Sequence, residues 1–397
     1  MSEENPLLNL PRPIVEALFK SAEAEALRAK QRVLKLVKDA ERFKPLLRFM
    51  KVEVREPPRV VAVDGSMSPT SSSRLGSEFA IYTAGYMVFE GRRVMDERYY
   101  AGSMSWVEGA KTFRTLLRLM MAYAERKAAL EAYRDYDPDY VLLDGPFFYF
   151  RGMCRYLRSV ELDLEEASTG LELVRKVRDM TLELINTGRA VCVIRRSVMR
   201  AIDGWLLYHQ GEDACVKARD KHLLTLLMPS MSSWSYDQLL DRDPVLYAAF
   251  YRYYRYRRQQ GVPREVLEEA REALMEHVER DFKCKLKEDL DVKTKQLPPT
   301  QRVYIRYSSN MPPFEVEAPR GFDVKGFASS FACFYNEATG LPFPVDLIDS
   351  AVSLPRGSTT AFTEEVEARL VRDSSIEGKS AISDYFSYLN PQKREQV

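Results

Sequence analysis

The chain has 397 residues, 45% of them hydrophobic and 29% charged, which supplies apolar side chain for a sizeable core and excludes a disordered chain. Lys and Arg number 59 against 58 Asp and Glu, a net charge of +1, so any nucleic-acid binding has to come from a local basic surface rather than an overall field. Five cysteines without a CxxC pair imply reduced, mostly buried thiols, and neither a leader-like start nor a membrane-length apolar run of ~18 residues is present, so the expectation is a soluble cytoplasmic protein with no membrane contact.

Residues 12–50 place Ile14, Leu18, Leu27, Val33, Leu36 and Val37 at helical spacing among Lys, Arg and Glu, predicting an amphipathic helix or helix pair ended by Pro57 and Pro58. A strand follows at Arg59–Val63, then a turn at Asp64-Gly65-Ser66 and a loop from Ser66 to Ser73. Phe79–Phe89 and Arg93–Tyr100, joined at Gly91, read as an antiparallel hairpin. Trp106 to Tyr133 reads as a long helix, Tyr140–Leu143 as a buried strand ending at Asp144-Gly145, Leu171–Asn186 as a helix and Ala190–Ile194 as another buried strand. Residues 205–300 are charged and mostly helical. A second strand pair, Val303–Tyr307 and Phe314–Glu317, precedes a helix at Val324–Glu337, an apolar segment at Pro344–Leu354 and an amphipathic helix at Thr363–Val371.

Three antiparallel strands followed by helix-linked strands predict an α/β fold with a ribonuclease-H-like mixed, largely parallel sheet, flanked by helices and carrying helical insertions. The expected organisation is an N-terminal amphipathic helical segment (1–57), the first part of the core (58–200), a charged helical insertion (201–300), the second part of the core (301–355) and a C-terminal tail (356–397).

Asp64 and Asp144 each end an apolar strand and each precede a glycine. Reactive groups collect outside the carboxyl ends of strands in open α/β sheets. Two carboxylates brought together there repel, and a hard divalent cation relieves the repulsion. A pair of ordinary Asp-Gly turns would look the same. Glu125, in the helix before the Asp144 strand, faces either those strand ends or water. Tyr307, Glu315, Glu317, Asp346 and Asp349 form a later polar group in which Asp349 could supply a further ligand. The run Tyr251-Arg-Tyr-Tyr-Arg-Tyr-Arg-Arg258 offers Arg252, Tyr254, Arg255 and Arg258 for phosphate contacts and base stacking, although on a helix some of its tyrosines must pack inward. There is no GxxxxGK[ST] loop, no zinc-ligand spacing among the three histidines and no GxSxG elbow.

Val61-Ala-Val-Asp-Gly-Ser66, Tyr140-Val-Leu-Leu-Asp-Gly145, Asp220-Lys-His-Leu-Leu224 and Gly340-Leu-Pro-Phe-Pro-Val345 together resemble the NurA nuclease family, over about Arg59 to Leu354. The resemblance implies a DNA nuclease of archaeal or bacterial type, cutting single strands and resecting duplex ends 5′ to 3′. It also implies a homodimer working with the hexameric ATPase HerA in DNA-end resection and double-strand-break repair, and Mn²⁺ or Mg²⁺ as cofactor, two ions being expected. It matches Asp64, Glu125 and Asp144 to the family's catalytic acidic residues and Arg195 or Arg196 to a basic position. The mechanism expected from this has Asp64, Glu125, Asp144 and Asp349 holding the ions and Arg195, Arg196 or Lys221 stabilising charge on the phosphate. At the C-terminal motif the chain departs from the family: Leu341 stands where a tyrosine is usual and Asp349 where a histidine is usual. That exchange keeps a hard-metal ligand but not a neutral donor, and leaves a catalytically weak, DNA-end-binding adaptor of the ATPase ring as the alternative.

Overall fold

Four consecutive apolar residues, Val60 to Val63, are all buried, because the strand they form lies at the centre of a sheet covered on both faces. The structure, a computed structural model, describes residues 5–107, 110–152, 154–373 and 376–389. Its main strands are β1 (Arg59–Met67), β2 (Glu78–Glu90), β3 (Arg93–Trp106), β4 (Tyr140–Asp144), β5 (Ala190–Ile194), β6 (Ser232–Ser235), β7 (Thr300–Arg306) and β8 (Phe314–Pro319). They lie in the order β3-β2-β1-β4-β5-β8-β7-β6. The first three are antiparallel neighbours and β4 and β5 follow through helices, which is the ribonuclease-H-like order expected.

Two boundaries differ from expectation. β1 does not turn at Asp64 but continues to Met67, pairing Asp64 with Gly85, Gly65 with Ala84 and Ser66 with Thr83. β3 likewise runs on to Trp106, and the helix after it, α2, spans Ala110–Tyr136. The sheet is also less parallel than predicted: only β1–β4 and β4–β5 are parallel among these main strands. The pairs β1–β2, β2–β3, β5–β8, β8–β7 and β7–β6 are antiparallel. Only the two parallel junctions use a helix to return the chain to the same end of the sheet.

The remaining helices are α1 (Arg12–Phe43), α3 (Gly170–Asn186), α4 (Ala201–Gln210), α5 (Asp220–Leu227), α6 (Pro244–Gln259), α7 (Arg271–Leu290), α8 (Val324–Phe331), α9 (Phe343–Val352), α10 (Ser358–Asp373) and α11 (Ile376–Phe386), with the short turn of helix Arg264–Glu269 between α6 and α7. The predicted helix Val324–Glu337 stops at Phe331, and Tyr335–Asn336 instead pairs with Leu341–Pro342. Side chains alternate across β1. Val61 and Val63 pack with Ala128, Ala129 and Ala132 of α2 and Leu184 and Ile185 of α3. Val60 and Ala62 pack on the other face with Phe327 and Phe331 of α8 and Val345, Ile348 and Val352 of α9.

The 201–300 stretch is not purely helical. Its strand β6 pairs with β7 and so extends the sheet, while α4 to α6 build a separate apolar cluster around Trp234, Tyr236 and Tyr247. α1 is one helix rather than a pair; Ala40 and Phe43 near its end are buried, whereas Ile14, Leu18, Leu27 and Val33 are exposed. All five cysteines are free; Cys154, Cys192 and Cys215 are buried, Cys333 is half-buried and Cys284 is exposed. Among the described residues no helix is long and apolar enough to cross a membrane.

Candidate metal centre

The register of the two parallel strands brings the first two carboxylates together. β1 and β4 pair Ala62 with Leu142 and Val63 with Leu143, so the next residues, Asp64 and Asp144, leave the end of that ladder side by side. By alternation Asp64 shares the face of Val60 and Ala62, which is the face that α9 covers. α9 is docked there by its C-terminal end: the Thr83 hydroxyl donates to the Val352 carbonyl (2.6 Å), and the Leu354 N–H donates to Ser66 Oγ (3.3 Å). One turn earlier, Asp349 enters the site. Carboxylate oxygens of Asp64, Asp144 and Asp349 all lie within 4.8 Å of one another.

Arg195 follows the last residue of β5 and closes this cluster. Its guanidinium donates to both oxygens of Asp144, with Nε at 3.1 Å from Oδ1, and its Nη1 lies 2.8 Å from Asp349 Oδ2. Its Nη2 is 3.7 Å from Asp64 Oδ2, beyond hydrogen-bond reach. Asp64 is only 4% exposed, and its Oδ2 has no hydrogen-bond partner. Its Oδ1 accepts from the Gly65 N–H at 2.7 Å. Burial, followed by the charges of Asp144 and Glu125, pushes the Asp64 carboxyl up to about 9. Asp349, hydrogen-bonded by Arg195, is held below the ordinary carboxylate range. Of these two carboxyls, Asp64 is the one that burial and its neighbours favour in the protonated form.

Glu125 reaches the site from the opposite face of the sheet. A Cβ at position 65 would lie 2.8 Å from Glu125 Cγ, 2.8 Å from its Oε1 and 3.0 Å from Met121 Cγ. Gly65 is thus a glycine not to make a turn but to leave room for the α2 glutamate beneath the strand. Glu125 is also 4% exposed, so water does not solvate it as it would an ordinary helix-surface glutamate. Its Oε2 accepts from Tyr149 (2.7 Å) and lies 3.4 Å from Arg126 Nη1, while Oε1 faces Gly65. Burial pushes its carboxyl up to about 7, against the lowering influence of Arg126 and Tyr149. Glu125 lies outside the three-carboxylate cluster and approaches Asp64 from behind.

The other expected residues take different places. Lys221 Nζ donates to the Arg195 carbonyl (2.9 Å) and so anchors that arginine's backbone. Asp220, beside it, accepts from the N–H groups of Ala201 (2.7 Å) and Ile202 (3.2 Å) and from the Tyr236 hydroxyl (2.7 Å), tying the start of α4 to α5. Arg196 is exposed, and its charge helps to lower the Asp349 pKa. Glu315 and Glu317 are buried against Arg302 at 2.9 and 3.1 Å, and Asp346 accepts from Asn336 at 2.9 Å. Tyr307 donates to the Ala328 carbonyl (2.7 Å) within the core. Of that later polar group only Asp349 joins the site.

The Tyr–Arg run lies on α6. Tyr254 is 1% exposed with its hydroxyl on Glu212 (3.1 Å), so its ring is closed to base stacking, which corrects its expected role. The same Glu212 lies 3.7 Å from Arg255 and 3.6 Å from Arg258, and Arg258 also donates to the Val262 carbonyl. Arg252 is exposed. Sequence reasoning missed Tyr149 and Arg126. The available signal was Arg126 itself, a charge in a helix whose neighbours Leu119, Met120, Met121, Ala122, Ala128 and Ala129 are all buried.

A family model described as the NurA domain matches residues 58–354. No curated protein matches the chain. Among solved structures, the NurA nuclease from Sulfolobus solfataricus is similar at a TM-score of 0.58 and 13% identity, over 92% of this chain and 99% of that one. A crystal structure of NurA bound to dAMP and manganese gives 0.39 and 12%, over 94% and 99%. Endonuclease V from Bacillus subtilis gives 0.32 and 9%, over 83% and 92%. The first of these likenesses shows a shared fold.

Proposed function

This chain belongs to the NurA family, and we propose that it is a metal-dependent deoxyribonuclease in which Asp64, Asp144 and Asp349 hold a divalent cation. The observation that carries the reading is the convergence of three carboxylates from two strands and a helix on one point, with a buried Asp64 oxygen left unpartnered there. An all-oxygen, acidic donor set fits Mn²⁺ or Mg²⁺ rather than a softer metal. A bound cation would supply Lewis-acid stabilisation of the phosphate and of the attacking water.

The chain's own residues do the rest. Asp64 stands between Asp144 and Asp349 on one face and Glu125 on the other, so these four carboxylates are the residues that would hold the metal. Tyr149 and Arg126 hold Glu125 by its Oε2, and Oε1, beside Gly65, is the atom Glu125 would offer to a second ion. Arg195 and Arg196 supply positive charge for the scissile phosphate, and Lys221 fixes Arg195 from behind. Arg252, with lesser help from Arg255 and Arg258, is the α6 contribution to the DNA surface.

By family membership we extend the proposal to single-strand endonuclease and 5′–3′ exonuclease activity in DNA-end resection and double-strand-break repair. The chain would act as a homodimer with a HerA-type hexameric ATPase, which would provide the translocation this chain has no Walker motif to drive. The direct test is cleavage of 5′-labelled single-stranded DNA with Mn²⁺, with Asp144→Asn as the inactive control. A second reading, the weak or inactive end-binding adaptor, is favoured by the guanidinium inside the acidic cluster. Binding of the labelled strand without Mn²⁺-stimulated cleavage would select it.

A further inference from the structure

We propose that Arg195 is a placeholder cation, occupying the acidic cluster until a divalent ion displaces its side chain towards the DNA phosphate. The inference rests on the metal-binding reading above. Arg195 pairs with Asp144 and Asp349 and approaches Asp64, the same three residues whose oxygens converge. A guanidinium cannot yield its place by losing a proton, because it stays charged at every physiological pH. Its donors and a divalent cation therefore compete for the same oxygens.

The attachment of Arg195 suits such a movement. Its carbonyl is held by Lys221 at 2.9 Å, and Gly145 N–H donates to the Val193 carbonyl at 3.0 Å two residues earlier. The backbone is thus fixed on the sheet, and displacement needs only side-chain torsions. The side chain is 26% exposed, so the cluster opens to solvent on the arginine's side. In the metal-free protein the guanidinium balances part of the mutual repulsion of the carboxylates and keeps them in place. Once displaced, it remains tethered at the rim as a bidentate phosphate donor. Metal loading and presentation of the arginine become one event, and by reciprocity phosphate binding to Arg195 favours metal loading.

The test is Mn²⁺ binding to the full chain, measured by electron paramagnetic resonance of the free ion, for the wild type, R195Q, R195K and R196Q. Losing two charge-assisted competitors should tighten Mn²⁺ binding about tenfold or more in R195Q. R195K, which keeps a charge but not the fork, should fall between. R196Q removes the neighbouring exposed charge, which also acts on Asp349, and should tighten binding by clearly less than R195Q does, since solvent and salt screen it. Thermal melts in chelator check folding: R195Q should melt below the wild type and recover more on adding Mn²⁺. Unchanged or weaker binding in both R195Q and R195K overturns the placeholder, while Mn²⁺ binding by the wild type would leave the metal-site reading standing. Equal tightening in R196Q and R195Q also overturns it, because a general field effect would then suffice. If none of the four proteins binds Mn²⁺, the placeholder and the metal site fail together.

Discussion

Asp64→Asn should abolish cleavage and yet make the metal-free protein more stable at neutral pH. The Asp64 carboxyl is 4% exposed, has an unpartnered oxygen and is pushed from 3.8 up to about 9 by burial and by Asp144 and Glu125. A folded-state pKa above the unfolded value means that the group's contribution is fully present below about pH 4 and is lost as pH rises through about 9. At pH 7 the loss amounts to roughly three pKa units, or about 4 kcal/mol at 1.36 kcal/mol per unit. Asparagine does not incur it, but buries an amide whose unmet hydrogen bonds cost about 1–3 kcal/mol. The net gain is about 1–3 kcal/mol at pH 7, a rise of a few degrees in melting temperature. It should fall to zero between about pH 4.5 and 6, reverse as pH falls towards 4, and grow as pH rises towards 9. Calorimetric melts of both proteins in chelator between pH 5 and 9 measure it, beside a Mn²⁺-supplemented nuclease assay. A variant that melts lower than wild type across that range, or that cleaves at the wild-type rate, refutes the reasoning.

Asp349→His should retain metal binding and shift the ratio of Mn²⁺- to Mg²⁺-supported cleavage towards Mn²⁺, since imidazole is the softer ligand; an unchanged ratio in initial rates counts against Asp349 as a ligand. Gly65→Ala should destabilise the fold by about 1–3 kcal/mol, because the new methyl group meets Glu125 at 2.8 Å. Denaturant titrations of the Gly65→Ala/Glu125→Ala double-mutant cycle check this, and strict additivity would show that the two positions do not collide. Tyr149→Phe removes the hydroxyl 2.7 Å from Glu125 and should weaken Mn²⁺ binding or turnover by about tenfold while leaving the fold intact. Mn²⁺ titration and kcat at saturating DNA together check it, and wild-type values in both would leave Tyr149 a packing residue only.

The two strand-borne aspartates were legible because their signal is local. Val60–Val63 and Tyr140–Leu143 are apolar runs that each stop at an aspartate, and parallel pairing in register sets those aspartates side by side. Asp349 could be named as a candidate but not chosen over its acidic neighbours from its own stretch of sequence, since its contact with the site depends on how α9 docks against Thr83 and Ser66, far away in the chain. The turn predicted at Asp64-Gly65 failed for an informative reason. Glycine after aspartate is a turn signal when read locally. Here its lack of a Cβ serves a side chain from α2, a need that exists only in three dimensions. The Tyr–Arg run was ambiguous because charge and aromatic content say nothing about which helical face is inward. The buried residues Tyr247, Phe250, Tyr251 and Tyr254 recur at the three- and four-residue spacing of one face, which places Tyr254 in the core.

Charge balance ties these features together. With every group ionised, Asp64, Asp144, Asp349 and Glu125 carry four negative charges against two positive ones on Arg195 and Arg126. Two negative charges remain, in a site where Asp64 and Glu125 are almost wholly withdrawn from water. The metal-free protein meets that excess by protonation, which is why the Asp64 carboxyl is pushed so high. A single divalent ion that takes the place of Arg195 leaves one net negative charge in the site and frees the proton. A second ion would reverse the sign of the site unless further negative charge arrived with it, and the DNA phosphate is the group that brings it. Occupancy by two ions is thus expected only together with substrate, and counting bound Mn²⁺ with and without DNA decides the matter, since two ions bound in its absence would contradict it. On the proposed reading, the electrostatics that crowd these carboxylates would favour a small divalent cation and a phosphate arriving together.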